Sequence, residues 1–201
     1  MKKIAITGAS NKNRLILCTA LSYLTSYDVI RCVPYSGFAL KYGLSKNQEQ
    51  HEWHDLYSYA LQSFVERVEV ESSYDEFISN GSVLNELAYM EAKEFMKKKR
   101  NRSKDYSFMI KSLKSVITEY AAKKYDCIIH LTNSSQEIGG VYPVFDKCLK
   151  DLIKSCNVKS YFHEENTFTE VLENFFMDIN LQAEISPATA IKKAELEMLI
   201  Q

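Results

Sequence analysis

Neither sign of charge prevails in this chain. Its 25 Lys and Arg against 26 Asp and Glu leave a formal net charge of -1 over 201 residues. Nothing in those totals draws it to nucleic acid or to an anionic membrane, and either partner would need a local patch. No CxxC pair occurs. The five cysteines (Cys18, Cys32, Cys127, Cys148, Cys156) are an odd number at mostly apolar positions, as buried thiols in a reducing cytoplasm are. No stretch approaches the roughly 18 apolar residues of a membrane helix. The run behind Lys2 and Lys3 stops at Thr7, short of a signal-peptide core. A soluble, unprocessed, cytoplasmic protein is the expectation. Internal repeats and low-complexity tracts are also missing, so 46% hydrophobic content is free to build one ordinary core, and residues 1–201 are expected to form a single domain.

What is present is alternation. Ile4, Ala5 and Ile6 form an apolar run closed by Thr7 and Gly8, and Leu15, Ile16, Leu17, Ala20, Leu21 and Leu24 follow at helical spacing, which predicts strand, loop and helix. Further strands are predicted at Val29–Val33, Glu76–Ser79, Cys127–Leu131 and Ser160–His163. The nearly unbroken apolar run at 127–131 marks a strand covered on both faces. Helical spacing predicts a short segment around Phe38–Leu40, long helices over Glu49–Val70 and Tyr106–Lys124, and others behind Ser82, over Val144–Cys156, over Phe168–Phe176 and across 186–201. Strands too far apart for hairpins imply an α/β fold, with a parallel central sheet and helices on both faces. The two long helices are expected to form a helical lid side rather than a second domain.

The first strand-to-helix step reads Gly8-Ala9-Ser10-Asn11-Lys12-Asn13-Arg14-Leu15. A phosphate-binding P-loop reads G-x-x-x-x-G-K-[ST]; its backbone wraps phosphate, its lysine reaches the β/γ oxygens and its hydroxyl binds Mg²⁺. Only the first glycine is in place here. Asn13 stands for the second glycine, Arg14 for the lysine and Leu15 for the hydroxyl. Lys12 or Arg14 could still meet an anion at the helix N-terminus. The plainer alternative is a tight turn with solvated charges.

Phe77-Ile78-Ser79-Asn80-Gly81-Ser82-Val83-Leu84-Asn85-Glu86-Leu87-Ala88-Tyr89 is similar to the strand-to-helix step of the small bacterial and phage AAA-type nucleoside and nucleotide kinases, related to the nicotinamide-riboside kinase domain. There the strand is followed by Asp-Arg-Ser. The resemblance implies a three-layer P-loop fold in which that acid acts as base or Mg²⁺ partner and the arginine holds phosphate. Here Asn80, Gly81 and Asn85 replace the two acids and the arginine. Ser82 is retained, although an ordinary N-cap with Asn85 three residues on accounts for it equally. Gly139-Gly140-Val141-Tyr142-Pro143 resembles the family's lid segment, Asp-Gly-Val-Arg-Pro, with Tyr142 for the arginine and Gly139 for the acid. An arginine at the transferring phosphoryl group contributes about 10³–10⁵ in rate.

The resemblance therefore implies a degenerate member, a pseudoenzyme without catalytic residues or a bound metal. Its ligand, ATP or another nucleotide, a nucleoside-like molecule or a protein partner, would meet Gly8, Ser10, Lys12, Asn13, Arg14, Asn80, Ser82 and Tyr142, with Mg²⁺ dependence in doubt. Two alternatives stand beside it. One is an unorthodox kinase or NTPase using Lys12 or Arg14 with Asp126 or Glu137, and the other is a purely structural interaction protein. The last helix could pack on its own domain or pair two copies as a homodimer.

Other groupings carry less. His51 and His54, beside Glu52 and Asp55, lack the i, i+4 spacing of a helical metal pair. His130 and His163 read as satisfied sheet histidines. Trp53, Tyr57 and Phe64 fit helix packing better than a base pocket, while Tyr35, Tyr42, Tyr57, Tyr59 and Tyr142 are expected near the ligand face. Lys97–Arg102 reads as a solvated helix end rather than a nucleic-acid contact.

Overall fold

The computed structural model describes residues 2–8, 10–31, 53–96, 104–132, 142–164, 168–179 and 183–200. Within them run β1 (Lys3–Gly8), α1 (Asn11–Thr25), β2 (Asp28–Arg31), α2 (Trp53–Ser72), β3 (Phe77–Asn80), α3 (Leu84–Met96), α4 (Lys104–Lys124), β4 (Cys127–Thr132), α5 (Tyr142–Ser155), β5 (Lys159–Glu164), α6 (Phe168–Ile179) and α7 (Pro187–Ile200). Every strand pair is parallel, and the order across the sheet is β2-β3-β1-β4-β5. The most apolar strands lie at the centre. Ile4 to Gly8 and Cys127 to Leu131 are buried throughout, because a strand roofed by helices on both sides has no wet face.

Period-two alternation sends side chains to two cores. On one face Ile4, Ile6, Ile78, Cys127, Ile129 and Leu131 meet α1, α6 and α7. On the other, Ala5, Ile30, Phe77 and Ile128 meet α2, α3, α4 and α5. The expected three-layer α/β architecture is therefore present. Ala190, Ile191 and Ala194 bury the last helix in the first core, so it packs on its own chain.

Three expectations change. Asn80 belongs to β3 and not to the turn after it, pairing in register with Ile6 and Arg31. The long helices are not a lid side, since Leu56 and Ala60 of α2 and Leu113, Ile117 and Ala121 of α4 are core residues. Helix α2 also runs to Ser72, two residues past the expected end. The segment around Phe38–Leu40, the last two residues of the Val29–Val33 strand and the basic run Lys97–Arg102 lie outside the described residues. No helix among the described residues is long and apolar enough to cross a membrane.

Candidate functional site

In a parallel sheet all carboxyl ends lie on one edge, and a ligand crevice opens there between neighbouring strands whose connections diverge. In this sheet β3, β1 and β4 are adjacent. The segments that follow them, 8–15, 80–85 and the start of α5, therefore share one edge. Gly8 ends β1 at φ 141°, and a Cβ on it would sit 2.5 Å from the Leu131 carbonyl oxygen of β4. Glycine is needed at position 8 for strand packing alone, whatever else the loop does. Ser10 then caps α1: its backbone is extended, at φ -81° and ψ 112°, and its Oγ accepts the Asn13 N–H. That satisfies one of the orphan donors of the first turn.

Arg14 folds back over this loop. Its Nε donates to Asn80 Oδ1 at 2.9 Å, its Nη2 to Asn11 Oδ1 at 3.1 Å and its Nη1 to the Gly8 carbonyl. Asn80 Nδ2 donates to the same Asn11 oxygen at 3.0 Å. Arg14, Asn80 and Asn11 thus close a ring of hydrogen bonds. The ring gives the amide at position 80 a purpose: it accepts from Arg14 at one end and donates to Asn11 at the other, and a carboxylate could only accept. Asn80 is buried, and the planar guanidinium is held as a fixed cation over the first turn of α1.

Ser82 and Asn85 cap α3 reciprocally. Ser82 Oγ accepts the Leu84 N–H at 3.2 Å, while Asn85 Oδ1 accepts both the Ser82 N–H at 2.9 Å and the Ser82 hydroxyl at 3.1 Å. This is a variant of the capping box, with Asn where Glu or Gln is usual and the serine accepting from the second residue on rather than the third. Asn85 is thereby explained as a helix-start residue.

Behind the edge lies a polar cluster that sequence reasoning missed. Glu71 Oε1 accepts from Ser79 at 3.1 Å and Tyr125 at 2.9 Å, and Oε2 accepts from Tyr120 at 3.1 Å. Arg67 donates to Ser79 at 2.9 Å and lies 3.7 Å from Glu71 and from Glu86 Oε1. Burial pushes the carboxyls of Glu71 and Glu86 above their usual range, against the pull of Arg67 on both and of Arg14 on Glu86. The two acids differ in one respect. Glu71 is fully hydrogen-bonded, whereas Glu86 Oε2 is buried without a hydrogen-bond partner, an arrangement that costs about 1–3 kcal/mol. The i, i+4 spacing of Arg67 and Glu71 was the available signal.

A second polar chain crosses the sheet. Thr7 Oγ1 lies 3.0 Å from His130 Nδ1, and His130 Nε2 lies 2.9 Å from Asp146 Oδ1. Lys150 Nζ stands 2.8 Å from Asp146 Oδ2. Desolvation pushes the Asp146 carboxyl up, but the His130 and Lys150 bonds outweigh it and hold it below its usual range. Hydroxyl, imidazole and carboxylate in that order copy a nucleophilic triad, yet Thr7 and His130 are both fully buried, so no substrate atom reaches the hydroxyl. His130 is a satisfied sheet histidine, as expected.

Of the expected ligand residues, Gly8, Arg14 and Asn80 are in direct contact, with Ser10 capping the same loop and Ser82 two residues beyond Asn80. Lys12 is exposed and Asn13 half-buried in the first turn of α1, and Tyr142 stands half-exposed at the start of α5. Asp126 was placed wrongly. Its Oδ2 accepts the backbone N–H groups of Lys2 and Lys3 at the amino edge of the sheet, because it precedes its strand. Tyr57 and Phe64 pack on the core and Tyr59 is buried. Glu137, Gly139, Gly140, Tyr35, Tyr42 and His51 lie outside the described residues, as do the side chains of Trp53 and His54. Among the described residues the two positions expected to face Mg²⁺ do not fit it: the Leu15 side chain offers no oxygen and Asn80 Oδ1 is engaged by Arg14. No group of three His, Cys, Asp or Glu among the described residues could hold a metal ion.

No protein-family description matches the chain, and no curated protein does. Solved structures do. A deoxyadenosine kinase from M. mycoides with bound dATP superposes at a TM-score of 0.64 and 15% identity, over 89% of this chain and 99% of that one. The same enzyme with bound dCTP gives 0.54 and 14%, over 88% and 97%. With the products dCMP and a flexible dCDP it gives 0.53 and 12%, over 99% and 100%. Identities this low speak for the fold and not for the activity. The five-stranded parallel sheet between two helical layers is the fold shared with these deoxyadenosine kinase structures.

Proposed function

We propose that this chain is a kinase-derived binding protein that takes a nucleotide or nucleoside-like ligand at the carboxyl edge of β1 and β3 without transferring a phosphoryl group. The observation that carries this reading is the Arg14–Asn80–Asn11 ring. A phosphotransferase needs a carboxylate near the strand end to receive a proton or face a metal. At position 80 an amide spends one end on Arg14 and the other on Asn11. The guanidinium so fixed sits over a helix N-terminus, where fixed cation and helix dipole both favour an anion. With no Mg²⁺ ligand at position 15, recognition of the anion falls to Arg14 and the α1 backbone.

One observation favours a second reading. Glu86, with an unpartnered buried oxygen and an electrostatic link to Arg14, is an acid close to this edge, and an unorthodox phosphotransferase would draw on it.

Thermal shifts with ATP, dATP and GTP, with and without Mg²⁺, separate the readings. Stabilisation that needs no Mg²⁺ and vanishes in Arg14→Met is the expected result. Stabilisation by none of them would return the chain to a protein-binding scaffold. Turnover of nucleosides with Mg-ATP near about 1 s⁻¹, within the ordinary enzyme range, and its loss in Glu86→Gln would replace binding with catalysis.

A further inference from the structure

Asn80 and Gly81 form the one Asn-Gly step in the sequence, and that pair carries a chemistry of its own. The Gly81 nitrogen attacks the Asn80 side-chain carbon: a bond forms between N and Cγ, the N–H proton departs with Nδ2 as ammonia, and a cyclic imide remains. Water then adds across one of the two imide C–N bonds. Cleavage at Cγ gives aspartate, and cleavage at the main-chain carbonyl carbon gives isoaspartate. Glycine in second place sets no Cβ beside the attacking nitrogen, which leaves its approach open.

The fold holds back both partners of the attack. The Gly81 N–H donates to the Ile6 carbonyl at 2.7 Å, so the nitrogen is tied to β1. Asn80 is the last residue of β3, in register with Ile6 and Arg31. A strand side chain stands roughly perpendicular to the sheet while the next nitrogen continues along it, and the two meet only if the strand end opens. The amide is also tied at both ends, Oδ1 by Arg14 Nε at 2.9 Å and Nδ2 to Asn11 Oδ1 at 3.0 Å. Turning Cγ towards the nitrogen breaks both bonds.

Arg14 pulls in two directions. A cation on Oδ1 favours the negative charge that develops there during attack and would speed it. The same bond fixes the amide where the nitrogen does not reach, and a hydrogen bond to a charged group slows such an opening about tenfold or more. Restraint comes first, because activation acts only once the two atoms meet.

We propose that Asn80–Gly81 is a latent modification site, guarded by the Arg14–Asn80–Asn11 ring and the Gly81–Ile6 bond, at which opening of the carboxyl end of β3 converts the amide to aspartate or isoaspartate. Aspartate loses the donor to Asn11 and sets a carboxylate against Arg14. Isoaspartate brings Cβ into the main chain where β3 pairs with β1 and β2. Either product ends the ring, whatever ligand the edge takes.

The test follows the full-length chain at mildly alkaline pH, in native buffer and in urea. Digestion at acidic pH and mass spectrometry then locate the conversion of amide to acid. The expected result is steady conversion at Asn80 in urea and far less in native buffer over the same time. In native buffer Arg14→Met should convert about tenfold faster than the parent or more. Leu152→Ala truncates a fully buried side chain of α5 and costs at least as much stability, yet should stay near the parent's rate, because the strand end opens without global unfolding. Equal rates in native buffer and urea, an Arg14→Met rate at or below the parent's, or a Leu152→Ala rate that matches Arg14→Met would each overturn the proposal. Should Arg14→Met not fold, Asn11→Ala decides: it removes the acceptor of Nδ2 and must also convert faster than the parent, and a parental rate refutes the guard.

Discussion

Gly8→Ala isolates the structural demand on the loop's one retained glycine. At φ 141° an L residue occupies backbone space that costs about 1–3 kcal/mol. The new Cβ would also meet the Leu131 carbonyl oxygen at 2.5 Å, its Cβ at 3.1 Å and its carbonyl carbon at 3.4 Å. These are atoms of a central strand, bonded in register to β1 and β5, so relief by moving them breaks the parallel ladder. Overpacking of this kind adds about 1–3 kcal/mol. The sum, about 2–6 kcal/mol, is a large share of the roughly 5–15 kcal/mol that holds a domain together. In a chain of this length it lowers Tm by about 4–24 °C. Urea unfolding followed by circular dichroism measures the loss without any ligand. A loss under about 1 kcal/mol would refute the reasoning, because it would mean that β1 and β4 do not approach as described and that glycine at position 8 serves only a ligand.

The remaining expectations bear on charge. Arg14→Met unseats the guanidinium from Asn80, Asn11 and Gly8 and should cost about 1–3 kcal/mol in urea unfolding, together with all nucleotide-dependent stabilisation. Asn80→Asp keeps the acceptor for Arg14 but gives Asn11 no donor and sets an anion beside the loop. ATP affinity by calorimetry should fall, and a gain with Mg²⁺ would favour the catalytic reading instead. Burial raises the Glu86 carboxyl above its ordinary value of 4.5, so the native state holds the proton more firmly than the unfolded one. Its contribution to stability is then fully present below that value and is lost as pH rises through the raised one. The parent should therefore gain on Glu86→Gln in urea midpoint as pH is lowered from alkaline to mildly acidic, and a difference that grows with pH would contradict the burial. Burial pushes the Cys127 thiol up to about 12; iodoacetamide should leave it unmodified in the native protein at mildly alkaline pH and reach it only on unfolding.

The architecture was legible because apolar runs report burial directly. The nearly unbroken Cys127–Leu131 run identified a strand roofed on both sides, and Ser82 with Asn85 announced the start of α3 before any contact was visible. The edge of the sheet was legible too, though imperfectly. Asp126 was taken for a site acid, yet in a parallel sheet a residue that precedes its strand must lie at the edge opposite the residues that follow it, and its bonds to Lys2 and Lys3 lie there. Asn80 was read as a lost acid because the chain shows only a residue type. That the amide bridges Arg14 and Asn11, 66 and 69 positions away, follows from folding alone. The same holds for Thr7 with His130, 123 positions apart. Spacing rules reach one or two helical turns and no further.

Three altered loops could have left stranded charge at the carboxyl edge, and the geometry shows why the first two do not. Losing a lysine, a metal-binding hydroxyl and an acid one at a time would leave an unpaired cation or an unpaired anion, each costly in a half-buried crevice. At this edge the cation at position 14 donates to two amides and a backbone carbonyl, all neutral, and acts electrostatically on the buried Glu86 carboxyl. Neutral acceptors hold a guanidinium without cancelling its charge. An acid restored at position 80 would recover a kinase-like residue and neutralise that cation in the same step. On the proposed reading of a kinase-derived binder, Asn80→Asp combined with Leu15→Ser should give nucleotide binding a Mg²⁺ dependence that neither change alone gives.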